Sequence, residues 1–235
     1  MNSTVHNPLR ITFTGVDESA DREAMWDLWS QYPIEWAFLF SPSQQGQGRY
    51  PSISFIADTI QRYQMDYAAH LCGGHSADVI AGRPFAHGAI LAPWFKRVQI
   101  NTSEKDFKVW QIANWANQRG LQLILQCSGA FPGDLSASWL FDQSAGRGNG
   151  QGAWPKPLPD VFCGYAGDLS PENVARTVSE IGAGTTNYWL EFEAGVRNAE
   201  DRFSVDRCRS VCEALYGREF VKPYGRRAAL LQEAA

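Results

Sequence analysis

The sequence predicts a single (β/α)8 barrel with parallel strands. Three observations predict it. Short apolar segments alternate with amphipathic helical ones along the chain, with no run of adjacent strands. The segment from Ile34 to Phe40 is nearly continuously apolar, the pattern of a strand buried on both faces. The glycine-rich turns follow the sixth, seventh and eighth strands, whereas an open doubly wound sheet carries its glycine-rich loop after the first, where only Gly15 stands. The 235 residues suit one barrel domain, 1–235, with the partly basic segment 218–235 expected to be a mobile tail.

Taken in order, Arg10 to Thr14 reads as the first strand, closed by Gly15. Asp17 or Ser19 is expected to cap a helix running to about Gln31. Ile34 to Phe40 opens into a Gln- and Gly-rich loop, Ser41 to Pro51, readable as a lid or as a surface loop. Ser52 to Gln64 has helical spacing through Ile53, Ile56, Ala57 and Ile60. Tyr67 to Leu71 is the third strand, followed by a short helix from Ala77 to Ala81. Pro84 to Pro93 reads as an excursion before a fourth strand, Arg97 to Asn101, so the alternation is irregular around strands 3–4 and again around 6–7. Thr102 or Ser103 is expected to cap a helix to Gln118, which Gly120 stops. Leu121 to Gln126 and Ser136 to Phe141 give strands five and six, the latter ending at Asp142. Val161 to Ala166 is the seventh, with Ser170 as cap and Pro171 as first residue of a helix to Ile181. Asn187 to Phe192 is the eighth, and Val205 to Tyr216 the last helix.

Composition narrows the function classes. Apolar residues make up 44% and charged residues 20%, an ordinary globular balance. The net charge of −4 and the lack of a basic run argue against a nucleic-acid partner. No apolar run approaches the roughly 18 residues of a membrane span. The five cysteines lack metal-type spacing, Cys208 and Cys212 are expected to share one buried helix face, and the odd count points to reduced thiols in a cytoplasmic protein. His70, His75 and His87 have no metal spacing with carboxylates, and neither metal nor cofactor is expected. Monomer and homodimer both remain open.

In a barrel the active face lies at the carboxyl ends of the strands. That filter selects Thr14, Arg49, Cys72, His75, Gln99, Asn101, Gln126, Cys127, Asp142, Arg147, Glu191 and Glu193. Asp142 and Glu191 each end an apolar strand, where desolvation raises a carboxyl pKa toward neutrality and suits it to proton transfer. The competing reading is a structural ion pair with Arg49 or Arg147. Cys72 is expected to be a packed thiol rather than a nucleophile. The turns around Gly167 and Asp168, and around Ala194 and Gly195, offer backbone N–H groups for an anion, with Gly146, Arg147, Gly148 and Arg49 as further contacts. A small phosphorylated or anionic ligand is the expected partner.

The same motifs resemble those of phosphoribosylanthranilate isomerase, the barrel enzyme of tryptophan synthesis. The family's Ala-Gly-Gly-Leu-x-Pro-x-Asn-Val is matched by Ala166-Gly167-Asp168-Leu169-Ser170-Pro171-Glu172-Asn173-Val174. Its Asp-Val-x-Ser-Gly-Val-Glu is matched by Glu191-Phe192-Glu193-Ala194-Gly195-Val196-Arg197. Weaker likenesses run through Thr14-Gly15-Val16-Asp17, through Ser41-Pro42 followed by Arg49-Tyr50, through His70-Leu71-Cys72-Gly73, and through Asp142 with Ala145-Gly146-Arg147-Gly148. The resemblance implies an isomerase or lyase acting on a small phosphorylated sugar by acid/base catalysis. It assigns the general acid to Asp142, a substrate contact to Glu191 and the position of the family's cysteine base to Thr14. A threonine hydroxyl has no useful basicity near neutral pH. The resemblance therefore also implies an alternative, a barrel that binds an anion and has lost the isomerase chemistry.

Overall fold

A computed structural model describes residues 6–84, 93–104, 106–142, 153–182 and 184–223. Eight parallel strands close into a barrel in chain order: β1 Arg10–Thr14, β2 Ile34–Phe40, β3 Tyr67–Leu71, β4 Arg97–Ile100, β5 Gln122–Cys127, β6 Ser138–Asp142, β7 Cys163–Ala166 and β8 Tyr188–Phe192. The cylinder closes where Arg10 of β1 pairs with Trp189 and Phe13 with Phe192 of β8. Helices α1 Arg22–Gln31, α2 Ile53–Arg62, α3 Gly74–Ile80, α4 Val109–Asn117, α5 Val174–Ile181 and α6 Val205–Tyr216 connect or follow the strands. None of the described helices is long and apolar enough to cross a membrane.

The strict alternation expected from sequence breaks between β5 and β6, where residues 128–137 form turns without a helix. Gly129, Pro132 and Gly133 punctuate that stretch, and glycine and proline oppose helix propagation. The expected excursion overlaps residues 85–92, and the Gly-rich segment spans 143–152. Both lie outside the described residues, and Gly146, Arg147 and Gly148 with them.

Several helix starts also differ from expectation. Asp21 caps α1 by accepting from the Ala24 N–H, because Asp17 is drawn away to Arg197. Helix α4 begins only at Val109 with no capping side chain, since Thr102 Oγ1 instead accepts from the Glu104 N–H in a local turn. Helix α5 begins at Val174, not Pro171. Asn173 Oδ1 accepts from the Ser170 N–H, and its Nδ2 donates to the Asp168 carbonyl at 2.7 Å, so one amide clamps the turn that precedes the helix. Of the segment 218–235 expected to be a mobile tail, residues 218–223 instead dock on the barrel's amino-terminal end, and 224–235 lie outside the described residues. Gln31 Nε2 donates to the Arg218 carbonyl, Phe220 stacks on Tyr32, and Lys222 Nζ lies over the Trp29 ring.

Strand alternation divides the side chains into two sets. Ile11, Phe13, Trp36, Phe38, Tyr67, Val98, Leu125, Phe141, Tyr165 and Leu190 point outward and form the main core with buried helix residues such as Met25, Ile56, Val178 and Cys208. Cys208 and Cys212 are both fully buried, as their spacing implies. The inward set is partly apolar, with Ile124, Leu140, Ala166 and Trp189 in contact. Gly164 is obligatory beside it, because a Cβ there would fall inside the Trp189 indole.

Beside Ala37, Leu39 and Ala68, the rest of the inward set is largely polar. Near the amino-terminal end, Glu35 is fully buried and accepts from Arg97 Nη1 at 2.7 Å, Thr12 Oγ1 at 2.8 Å and Arg10 Nη1 at 3.0 Å. Burial opposes the Glu35 charge, but Arg97 and Arg10 overcome it and hold the carboxyl below its usual range. Burial also pulls the Arg97 guanidinium down, yet a guanidinium starts so far above neutrality that it stays charged. Its Cζ lies 4.2 Å over the Trp189 ring, a cation–π contact in a dry interior.

Candidate functional site

At the carboxyl ends of the strands a cavity of about 280 Å³ opens over β3 to β8. Arg49, His70, Gln99, Asn101, Gln126, Asp142, Glu191 and Glu193 contribute polar side chains to it. The turns after β7 and β8 complete it with residues Ala166 to Leu169 and with Ala194 and Gly195.

The two glycine corners abut. A Cβ at Gly195 would overlap the Leu169 carbonyl oxygen and lie 3.0 Å from the Ser170 Cα, so only glycine allows this approach. The other corner needs left-handed backbone at two successive residues, Gly167 (φ 108°) and Asp168 (φ 53°). Asp168 tolerates it because Asn173 holds its carbonyl. The turn bonds of the β8 corner use the N–H groups of Val196 and Arg197, and those of the β7 corner the N–H groups of Ser170, Asn173 and Val174.

Glu191 is the site's most perturbed acid. It is 8% exposed, and burial pushes its carboxyl up to about 8, with the carboxyls of Glu193, Glu35 and Asp142 adding to the shift and Arg97 opposing it. Its Oε1 is 3.5 Å from Gln99 Nε2 and 3.8 Å from His70 Nδ1. Burial lowers His70 to about 3, so the contact is between a neutral imidazole and a protonated carboxyl near neutral pH, not an ion pair. Asp142, at the end of β6, is half-buried in the same cavity.

A polar chain runs from Gln99 Nε2 to Asn101 Oδ1 at 2.8 Å, and from Asn101 Nδ2 to Cys72 Sγ at 3.2 Å. Burial pushes the Cys72 thiol up, which disfavours the thiolate.

The β1 side of the mouth is closed by ion pairs. Arg49 Nη1 donates to Glu193 Oε1 at 2.8 Å and Arg49 Nη2 to Asp201 Oδ1 at 2.9 Å. Arg197 binds Asp17 Oδ2 at 2.5 Å, the Gly15 carbonyl at 3.0 Å and Asp201 Oδ1 at 2.8 Å. Burial works against the Asp17 charge, but the Ser19 and Arg197 hydrogen bonds outweigh it and keep that carboxyl low. The expected pairing of Arg49 with Asp142 or Glu191 is not what forms; Arg49 takes Glu193 and Asp201 instead. The loop before it is internally fastened: Gln45 accepts from the Ser41 N–H and donates to the Pro51 carbonyl.

Of the residues singled out by sequence, Asp142, Glu191, Gly167, Asp168, Ala194, Gly195 and Arg49 meet at this cavity, together with Glu193, Gln99, Asn101 and Gln126. Thr14 does not line it. It is 1% exposed, and Gly15 beside it is covered by the Glu193, Arg49 and Arg197 side chains. Cys127 and His75 also lie off the cavity lining. Sequence reasoning passed over His70 as a site residue, weighing it only as a metal ligand, and missed Glu35 and Arg97. Their signal was a polar residue at an inward position of an otherwise apolar strand.

No protein-family model matches the sequence, and no curated protein is similar to it. Solved structures are similar in fold. TrpF from Jonesia denitrificans has a TM-score of 0.62 at 16% identity, over 89% of this chain and 97% of that one. N-(5'-phosphoribosyl)anthranilate isomerase from Pyrococcus furiosus gives 0.58 at 10% identity, over 89% and 98%. A phosphoribosyl anthranilate isomerase solved with reduced 1-(o-carboxyphenylamino)-1-deoxyribulose 5-phosphate gives 0.56 at 13%, over 89% and 99%. At these identities the likeness is one of fold: the chain is a (β/α)8 barrel similar in architecture to those of phosphoribosylanthranilate isomerases.

Proposed function

We propose that this barrel is an isomerase or lyase for a small phosphorylated, sugar-type substrate. One observation carries the reading: a buried carboxyl with its pKa near 8, Glu191, shares a cavity with Asp142 and with two abutting glycine corners. The phosphate is assigned to the backbone N–H groups around Gly167, Asp168, Ala194 and Gly195, the anion-binding use of glycine turns at strand ends. Gly146, Arg147 and Gly148 are proposed to complete that contact. Arg49 joins the substrate only if it leaves Glu193 and Asp201.

An aldose–ketose rearrangement needs one proton delivered to oxygen and another removed from the neighbouring carbon. Glu191, neutral below about pH 8, serves as the donor. Asp142 serves as the acceptor, whereas the family resemblance implies a general acid there and a substrate contact at Glu191. Thr14 has neither the basicity nor a place in the cavity lining to act as base, so it supports the wall. The phosphorylated ligand of one barrel of the same fold supports the substrate class.

The test is a turnover screen against phosphosugars that includes N-(5'-phosphoribosyl)anthranilate. Asp142→Asn and Glu191→Gln should each lower kcat/KM by about 10² or more on the substrate found. Undiminished turnover in either variant rejects that residue's role. Thr14, buried at the position of the family's cysteine base, favours a second reading, an anion-binding barrel without chemistry. Phosphosugar binding with no turnover of any compound selects it.

A further inference from the structure

One layer below the strand ends, His70 of β3, Gln99 of β4 and Glu191 of β8 form the floor of the cavity. His70 is fully buried, Gln99 1% exposed and Glu191 8% exposed. Four of their polar atoms, His70 Nδ1 and Nε2, Gln99 Oε1 and Glu191 Oε2, have no hydrogen-bond partner among the described residues. Folded proteins pair nearly all such atoms, because a buried polar group without a partner is costly. Four at one place, facing one cavity, mark a surface made to be completed by something else. The Gln99 amide is already oriented for this by its 2.8 Å bond to Asn101 Oδ1, which leaves Oε1 as a fixed acceptor.

The chemistry of the set selects the group it takes. A neutral imidazole offers one donor and one acceptor, Gln99 Oε1 an acceptor, and a carboxyl group both kinds. Among the described residues, no cation on this floor is available to a second anion. Arg97 is held on Glu35 against Trp189 and does not line the cavity, while Arg49 lies between Glu193 and Asp201. A hydroxyl, which needs donors and acceptors together, or a carbonyl, which takes the donors, fits.

We propose that His70, Gln99 and Glu191 form a subsite for an uncharged hydroxyl- or carbonyl-bearing group, so that the ligand of this cavity is anionic at its outer end alone. The inference rests on the preceding reading for the outer, phosphate end and on these three side chains for the inner end.

Calorimetry with inorganic phosphate, ribose 5-phosphate and ribitol, on wild type and on His70→Leu and Gln99→Leu, tests it. Ribose 5-phosphate should bind wild type at least about tenfold more tightly than phosphate, one good hydrogen bond's worth. Each variant should erase that margin and leave phosphate affinity unchanged. The melting temperature of ligand-free His70→Leu should hold or rise, because an unpartnered polar group is removed. Equal affinities for phosphate and ribose 5-phosphate in wild type, or a margin that survives both variants, overturn the subsite and leave the phosphate reading intact. A His70→Leu protein that does not fold also overturns it, since the imidazole would then support the empty barrel. If phosphate does not bind wild type, the outer-end reading fails, and ribitol decides the floor. Ribitol binding that the variants abolish supports the subsite, and no ribitol binding overturns it.

Discussion

Glu191 sits where a strand carries a carboxyl out of water, and its raised pKa follows from that placement. The raised value has a consequence for stability. Unfolded, the group ionises near its ordinary value of 4.5; folded, it stays protonated to about 8. The native state therefore holds the extra proton between those values, and Glu191's contribution to stability is full below about 4.5 and is lost as pH rises to about 8. Glu191→Gln should remove this downward slope, which urea unfolding across pH 4 to 9 would show; an unchanged slope would mean the carboxyl ionises freely. The sequence announced Glu191 and Asp142 because each is an acid ending an apolar run. It did not announce His70, Glu35 or Arg97 as interior groups, because alternation places a residue inside the barrel without saying whether its neighbours there are apolar or charged.

At the scale of the element, the two glycines that matter are held by different constraints. Gly195 brings the β8 corner against the Leu169 carbonyl, and Gly164 yields its side-chain space to Trp189. Gly195→Ala should force the corners apart and abolish phosphate binding. Gly164→Ala should destabilise the barrel by about 1–3 kcal/mol through overpacking while leaving the corners in place. Denaturant unfolding and phosphate titration on both variants separate the two effects, and a Gly195→Ala protein that binds phosphate normally would refute the corner assignment. Strand positions were legible to within a few residues because apolar runs mark them. The starts of α1 and α5 were not, since several capping-type residues stood near each and other partners claimed some of them. Arg197 claimed Asp17, and the Asp168 turn claimed Asn173.

Across the whole molecule the barrel encloses a charged amino-terminal half and a polar, open carboxyl-terminal half. The lower half depends on Glu35, which answers two guanidiniums from β1 and β4. Glu35→Ala would leave Arg97 buried without its partner and should cost about 3–5 kcal/mol in urea unfolding. The double variant Glu35→Leu, Arg97→Met should recover most of that loss, whereas an additive loss would show that the pair is not the source. In the upper half, the proposal that this barrel binds a phosphorylated ligand beside a proton-transferring carboxyl stands on one junction, the meeting of the β7 and β8 turns with Glu191 and Asp142. A crystal structure of the protein soaked in inorganic phosphate tests that junction most directly. The account predicts a phosphate held by the backbone N–H groups at Gly167 and Gly195, opening onto Glu191; corners that stay empty at saturating phosphate, or an anion bound elsewhere on the barrel, would contradict it.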